Sequence, residues 1–171
     1  SNNEALIKGN TVRSSQGRSG DGIWVSGKSA KVWIVDNTLE GNARYGMAFL
    51  QGAEGLLQRN LVRGNPITGL RLEGGSKAEV YSSRFLANGT GIQLVSSSLL
   101  LFDSLIAGSV QPTLGDGVFA TAGTVEIQNS TFFGNSGFGL RLSGTQLTVA
   151  RSIFQQNARG DLSGGTSDDF V

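Results

Sequence analysis

One repeating unit runs along almost the whole chain and limits what the chain can fold into. The unit begins with an apolar residue that is followed three positions later by Asn. These tetrads begin at Ile7, Leu39, Val62, Phe85, Phe132 and Phe154, and Ile106 begins a variant that ends in Ser instead of Asn. Self-similarity at a period of about 20–50 residues indicates a repeat architecture, in which each unit is stable only when it stacks on its neighbours.

Two further segments of alternating apolar residues accompany each tetrad. The first starts with Gly, and the glycines recur 22 to 26 residues apart, at Gly22, Gly46, Gly69, Gly91, Gly117 and Gly139. The second is an apolar-any-apolar triplet, found as Val32–Ile34, Ala78–Val80, Leu99–Leu101, Val125–Ile127 and Leu147–Val149, with Gly55–Leu57 as a weaker member. Alternation with a period of two is typical of half-buried strands.

Three short strand segments in each repeat predict an all-β solenoid, a parallel β-helix with three sheets. We expect about six to seven coils of 22–26 residues, whose equivalent strands pair in parallel about 4.8 Å apart. A leucine-rich repeat has a similar period but one dominant strand in each unit, so it fits the three recurring segments less well.

A column of small polar residues precedes the tetrads by two positions, at Asn37, Asn60, Ser83, Ser104, Ser130 and Ser152. Asn and Ser bond to neighbouring backbone at turns, so a stacked column of them can link one coil to the next. With its polar corner and apolar interior, the repeat from Ile7 to about Leu162 resembles that of the pectate-lyase-like proteins. The resemblance implies a right-handed three-sheet β-helix, which we place over residues 1–162, but the fold is shared by many enzymes and binding proteins. Residues 163–171 are polar and rich in glycine, so we expect a tail there.

Composition excludes several classes of function. The chain has neither His nor Cys, which removes the commonest general base and two common metal ligands, and it gives no reason to expect a cofactor. A net charge of +1 gives no basic surface for nucleic acid, and no apolar run approaches the roughly 18 residues of a membrane span. The absence of Cys fits many bacterial secreted proteins, so we expect a secreted or cell-surface domain of bacterial origin.

The carboxylates do not form a recognisable catalytic pair. A glycosidase needs two carboxyl groups about 5–9.5 Å apart. Asp21 and Asp116 occupy matching Gly-Asp-Gly motifs but lie four coils apart, roughly 19 Å. Glu79 and Glu126 lie two coils apart, roughly 10 Å, with Leu100 between them. We therefore predict no catalytic residue and no metal site.

A binding face is the stronger prediction. In enzymes of the resembled class, substrate lies along the outer face of one sheet. On the sheet that starts at the glycines, outward positions carry a set of aromatic, basic and amide side chains with one acidic neighbour, suited to a sugar or an acidic polysaccharide: Trp24, Arg71, Glu73, Gln93, Phe119 and Arg141. Two longer turns, Thr11–Asp21 and Val110–Asp116, border this sheet, and insertions in solenoids often mark the binding face.

The leading hypothesis is a non-catalytic domain that acts as a scaffold or a carbohydrate-binding module. One alternative is a fragment of a polysaccharide lyase or glycoside hydrolase acting on acidic polysaccharide, with its catalytic coils outside this sequence. A second alternative is a self-assembly module that associates end to end through open terminal coils. The chain starts at Ser1 and is short for a complete enzyme of this class, so we expect an excerpt of a larger protein or end-to-end association.

Overall fold

The computed structural model describes residues 3–110 and 114–164, and these contain eighteen β-strands and no helix. The strands are β1 (Asn3–Lys8), β2 (Thr11–Arg13), β3 (Ile23–Ser26), β4 (Ala30–Val35), β5 (Thr38–Glu40), β6 (Tyr45–Leu50), β7 (Glu54–Gln58), β8 (Leu61–Arg63), β9 (Thr68–Glu73), β10 (Lys77–Tyr81), β11 (Arg84–Leu86), β12 (Thr90–Phe102), β13 (Leu105–Ala107), β14 (Val118–Gln128), β15 (Thr131–Phe133), β16 (Phe138–Ala150), β17 (Ile153–Gln155) and β18 (Gly160–Ser163).

The strands wind into about seven coils with three faces, which confirms the predicted right-handed parallel β-helix. Sheet 1 contains β3, β6, β9, the first halves of β12, β14 and β16, and β18. Sheet 2 contains β1, β4, β7, β10 and the second halves of β12, β14 and β16. Sheet 3 contains the seven short strands β2, β5, β8, β11, β13, β15 and β17.

Sheets 1 and 2 are joined in the later coils by continuous strands. β12, β14 and β16 each bend at the corner instead of ending there, and the bend is made by Ser96, Ala122 and Gly144 in left-handed conformations. The earlier coils turn this corner between separate strands, with Gly27, Gly52 and Gly74 in left-handed conformations. The backbone hydrogen bonding of the two sheets is therefore continuous at this corner over the later coils.

The first coil has a different register from the one that its tetrad predicts. Ile7 pairs with Ile34 in sheet 2, whereas Val12 pairs with Leu39 in sheet 3. The alignment of the tetrad at Ile7 with the others was therefore wrong. The apolar-x-x-Asn pattern occurs at two corners of one coil, for example from Ile34 to Asn37 as well as from Leu39 to Asn42, so the motif alone cannot tell the corners apart.

Two columns of small polar residues hold successive coils together. Column A, between sheets 2 and 3, consists of Asn10, Asn37, Asn60, Ser83, Ser104, Ser130 and Ser152. Column B, between sheets 3 and 1, consists of Ser15, Asn42, Asn65, Asn88, Ser109, Asn135 and Asn157. In column A, the backbone N–H of every member except the last donates a hydrogen bond to the side chain of the equivalent residue in the next coil. Column B has the same hydrogen bonds except between Asn88 and Ser109. This confirms that such a column links the coils, as predicted.

The core consists of apolar columns that run through the inside of the helix. One column contains Leu39, Val62, Phe85, Ile106 and Phe132, all fully buried. The weak triplet at Gly55 has a packing reason, because a Cβ on Gly55 would lie 2.5 Å from the ring of Phe49. The large Phe49 side chain thus fills the space that an apolar residue would occupy at Gly55.

Both longer turns precede strands of sheet 1, as predicted. The first covers residues 14–22 and starts later than Thr11, because β2 spans Thr11–Arg13, and the described parts of the second are residues 108–110 and 114–117. Residues 111–113 of the second turn and residues 165–171 of the predicted tail lie outside the described part of the chain. The division at residues 162 and 163 stays a prediction, and β18 ends at Ser163.

Candidate functional site

The residues predicted to bind ligand lie together on the outer face of sheet 1. The strand register places one residue from each of six successive coils in a central row, consisting of Trp24, Ala48, Arg71, Gln93, Phe119 and Arg141. Glu73 lies two positions after Arg71 on β9 and belongs to the neighbouring outward row. The row runs along the helix axis with a spacing of about 4.8 Å between members.

The members of the row differ in how much surface they expose. Trp24 is 51% exposed and is the main free aromatic surface of the row. Ala48 is fully buried although its side chain points outward, since it lies between the larger Trp24 and Arg71. Arg71 is largely covered, and its Nη2 lies 3.0 Å from the Glu73 carboxylate.

A compact charged cluster lies at one end of the row, and we call it the Asp116 cluster. The Asp116 Oδ1 accepts a 2.8 Å hydrogen bond from the backbone N–H of Phe138, and Oδ2 lies 2.6 Å from Arg141 Nη2 in an ion pair. The Arg141 guanidinium lies over the ring of Phe119, 4.5 Å from its centroid. Burial raises the pKa of the Asp116 carboxyl, against the lowering effects of the Phe138 N–H and Arg141.

Several buried polar atoms of this end lack hydrogen-bond partners. Within residues 3–110 and 114–164, Arg141 Nε and the hydroxyl of Thr90 have no partner. Thr90 begins β12, which pairs with β14, the strand that follows Asp116. The contact between Arg141 and Asp116 Oδ2 is a short ionic contact without the alignment of a hydrogen bond. Because buried polar groups are normally hydrogen-bonded, this end of the face has unused bonding capacity.

A matching cluster lies at the opposite end of the row, and we call it the Asp21 cluster. Arg44 Nε and Nη2 donate to the two oxygens of Asp21 at 2.8 and 2.5 Å, and the backbone N–H of Tyr45 donates to Asp21 Oδ1 at 3.3 Å. The Arg44 guanidinium also lies 5.3 Å from the Trp24 ring centroid and 4.6 Å from that of Tyr45. A shallow pocket is lined by Ser19, Asp21, Gly22, Trp24 and Arg44.

The two clusters share one design. In each, the Asp of a Gly-Asp-Gly motif accepts a hydrogen bond from a backbone N–H of the next coil. The same Asp pairs with an Arg, and the guanidinium of that Arg lies over the aromatic ring found three positions after the Asp. Sequence reasoning weighed Asp21 and Asp116 only as a catalytic pair, and it missed Arg44 and Tyr45. The signal was present, because Arg44 lies 23 residues after Asp21, one coil length.

The face offers paired donors and acceptors rather than an excess of charge. Arg44, Arg71 and Arg141 each lie against a carboxylate, so these three arginines are matched by three acids. Fixed guanidinium and carboxylate groups beside aromatic rings can orient a ligand that carries hydroxyl groups. Such an arrangement is chemically capable of holding a ligand without a reactive group.

The other carboxylates considered from the sequence lie apart from this face. Glu79 and Glu126 are both outward on sheet 2, with Leu100 between them in the register. Lys77 holds the pKa of Glu79 below its usual value through a hydrogen bond. No group of three acidic residues that could hold a metal ion occurs in residues 3–110 or 114–164. In the same ranges, no helix could cross a membrane.

Comparisons with known proteins bear on the fold. A family model described as a right-handed β-helix region matches residues 1–121. The crystal structure of the periplasmic alginate epimerase AlgG aligns with a TM-score of 0.64 and 14% identity, over 92% of this chain and 39% of the epimerase. This chain therefore spans well under half of that enzyme, and the likeness shows the fold alone. No curated protein matches the sequence. Because the family model covers most of the sequence, this chain belongs to the right-handed β-helix family.

Proposed function

We propose that this domain is a non-catalytic module that binds a polysaccharide along the outer face of sheet 1. The observation that carries the proposal is the central row, in which Trp24, Arg71, Gln93, Phe119 and Arg141 face outward from coils stacked along the axis. A row of this kind suits an extended chain molecule, since it repeats its contacts along one direction.

The chemistry of the row fits a sugar polymer. Trp24 offers an exposed flat apolar surface, and the Arg44–Asp21 pair beside it offers hydrogen-bond donors and acceptors. Binding sites of this class combine aromatic surfaces with a few well-placed polar groups. Gln93 adds an amide in the middle of the row, where its Oε1 accepts from the Thr68 hydroxyl at 3.3 Å.

Acidic polysaccharide is the ligand class that we favour for this face. In the Arg71–Glu73 pair, Arg71 is largely covered whereas Glu73 is exposed to solvent, and ion pairs that reach the surface contribute only about 0–1 kcal/mol. A ligand carboxylate can therefore replace Glu73 at Arg71 at little cost. The resemblance in fold to a periplasmic alginate epimerase supports both an acidic polysaccharide as the probe and a location outside the cytoplasm.

Calorimetric titration with alginate hexamers tests the proposal. We expect the combined change of Arg71→Ala and Arg141→Ala to weaken binding by at least about tenfold, because a hydrogen bond to a charged group contributes about 1.5–3 kcal/mol. Arg63→Ala is the matched control, since Arg63 pairs with Glu40 at 2.9 Å on sheet 3, away from the row. Unchanged affinity in the double variant, with folding verified by circular dichroism, would show that the glycan binds elsewhere.

The fold resemblance also favours a second candidate, a part of a larger polysaccharide-modifying enzyme. Its residues would position the polymer while reactive groups come from other parts of that protein. Analysis of the alginate for cleaved or altered sugars after incubation separates the two candidates, because product from this chain alone would overturn the non-catalytic proposal. Light scattering across a concentration series tests the remaining prediction of end-to-end association.

A further inference from the structure

A second groove crosses the outer face of sheet 2, on a different side of the helix from the central row. We call it the sheet 2 groove. One part is lined by Lys31, Trp33, Glu54, Leu56, Lys77 and Glu79. An adjoining part begins at the same Lys77 and continues past Leu100 and Thr124 to Gln146 and Thr148. The two parts together extend across successive coils, along the helix axis.

Trp33 provides an aromatic surface at one end of this groove. Its side chain is 38% exposed and lies in an outward row between Leu6 and Leu56. Its indole N–H has no hydrogen-bond partner in the described part of the chain. A buried or half-buried Trp usually uses this donor, so an exposed ring with a free N–H is suited to contact a ligand.

The floor of the groove alternates apolar and polar side chains. Leu56 and Leu100 lie in the row of Trp33, with Glu79 between them. The neighbouring row contains Ser98, Thr124 and Gln146, and the Thr124 hydroxyl donates to the Ser98 oxygen at 2.9 Å. A sugar chain presents the complementary alternation, since each ring has apolar C–H faces and a hydroxyl edge.

The charges of the groove disfavour a polyanion. Lys31 lies 3.2 Å from Glu54, and Lys77 lies 2.8 Å from Glu79, so both lysines are matched by acids. Glu126 adds a third acid, and its carboxylate accepts from the Gln128 amide at 2.9 Å instead of from a cation. Two lysines against three glutamates leave an acidic excess, which repels a chain of carboxylates.

The backbone of the sheet excludes the main way in which an extended peptide would bind. Peptides add to sheets through the free hydrogen-bonding groups of an edge strand. The strands β7 and β10 under the groove are hydrogen-bonded on both sides, β7 to β4 and β10, and β10 to β7 and β12. Recognition must therefore come from side chains, which suits a ligand with hydroxyl groups.

We propose that the sheet 2 groove binds an uncharged polysaccharide chain, with Trp33 as the ring on which one sugar stacks. The ligand runs along the helix axis and forms hydrogen bonds with the polar row beside Leu56 and Leu100. The groove is separate from the central row of sheet 1. Because its charges disfavour a polyanion, its ligand differs in charge from the acidic polysaccharide proposed for sheet 1.

The two tryptophans of the chain permit a direct test. Trp24→Phe leaves Trp33 as the single tryptophan, and Trp33→Phe leaves Trp24, so selective tryptophan excitation reports on one face at a time. Cellohexaose, mannohexaose and xylohexaose are titrated separately into each variant, with alginate hexamer as the charged counterpart. We expect at least one neutral hexamer to shift the emission of Trp33 to shorter wavelength without altering that of Trp24.

The contact is then tested by calorimetry with the neutral hexamer that binds. Trp33→Ala is expected to weaken its binding by about tenfold or more, since aromatic contacts add about 0.5–1.5 kcal/mol beyond the apolar area that they bury. Leu6→Ala is the matched control, because Leu6 is in the same row but does not line the groove. Loss of alginate binding in Arg71→Ala variants leaves this proposal standing, because those residues lie on sheet 1.

Three outcomes would overturn the proposal. The first is that none of the neutral hexamers binds at millimolar concentration. The second is that a hexamer binds with equal affinity to the Trp33→Ala variant. The third is that the protein forms dimers that Trp33→Ala disrupts, which would assign this face to a second copy of the chain.

Discussion

Replacement of Asn65 with Ala measures how strongly the polar columns hold the coils together. The fully buried Asn65 is a member of column B and takes part in five side-chain hydrogen bonds. Its Oδ1 accepts from Asn42 N and Nδ2 at 3.0 and 3.1 Å. Its Nδ2 donates to the carbonyls of Leu39 and Arg63 at 3.3 and 3.2 Å and to Asn88 Oδ1 at 2.9 Å.

The magnitude follows from the partners that the change leaves behind. The buried N–H of Asn42 loses its acceptor, at a cost of about 1–3 kcal/mol, and each of the other four bonds contributes about 0.5 kcal/mol at the low end of the usual range. We therefore expect Asn65→Ala to lower the free energy of unfolding by about 3–5 kcal/mol. This is a large part of the roughly 5–15 kcal/mol typical of a folded domain.

Urea unfolding followed by circular dichroism measures this difference, and the melting temperature is expected to fall by about 10 °C. Asn10→Ala is the matched control in column A. Asn10 is exposed and donates to Asn37 and Lys8, and no donor among the described residues uses its side-chain oxygen, so we expect a loss below about 1 kcal/mol. Equal losses of unfolding free energy in the two variants would refute the reasoning, because the burial of Asn65 and the unpaired N–H left at Asn42 would then make no difference to stability.

Other changes test the column, the corner glycines and the charged cluster. Ser109→Asn is expected to raise the free energy of unfolding by about 1 kcal/mol, because the new side-chain oxygen can accept from the backbone N–H of Asn88. The backbone N–H groups of Asn42 and Asn65 already donate to such an oxygen, and an unchanged urea midpoint would contradict the prediction. Gly69→Ala is expected to cost about 3 kcal/mol or more in the same assay, since its Cβ would lie 2.6 Å from a backbone oxygen of the next coil. Burial raises the pKa of Asp116, so its carboxyl takes up a proton at a higher pH than an ordinary Asp and leaves Arg141 without a counter-charge. Alginate affinity should therefore rise as the pH falls from about 7 to about 4.5, and a calorimetric pH series on Asp116→Asn should lack that rise.

The sequence predicted the coil and its sheets because the core imposes a strict pattern. Stacked parallel strands need an apolar residue at each inward position, and residues such as Val62, Phe85 and Ile106 meet that need in every coil. The register of the first coil was missed because both polar corners produce the same local motif. Pairing between coils, which separates the two corners, is a long-range property that no short motif contains.

The outward row was predictable for the same reason, but its contacts were not. Alternation along a strand decides which side chains point outward, so Arg71 and Gln93 could be placed on one face. It does not decide how far a long side chain reaches, and Arg141 contacts Asp116, which lies in the turn before the preceding strand, β14. Arg44 lies in a turn, where alternation does not apply, so its pairing with Asp21 could be found only from the coil length.

The two long turns, the two Ser residues of column B and the two Gly-Asp-Gly motifs occur in the same coils. Ser15 and Ser109 are each the second residue after a sheet 3 strand, at the start of a long turn, where the other coils have Asn and a short turn. A Ser side chain is too short to reproduce the bonds that an Asn amide makes at this corner, and the buried Ser109 hydroxyl has no partner in the part of the chain that the structure describes. At the end of each long turn, Asp21 or Asp116 instead accepts a backbone N–H of the next coil. The aspartates therefore fasten the long turns to sheet 1, and the arginines that neutralise them are drawn onto its outer face. The charged clusters of the candidate binding face thus occur where the turns are long. Each Asp lies in one of these turns, outside the repeating pattern of apolar residues, Asn and Gly.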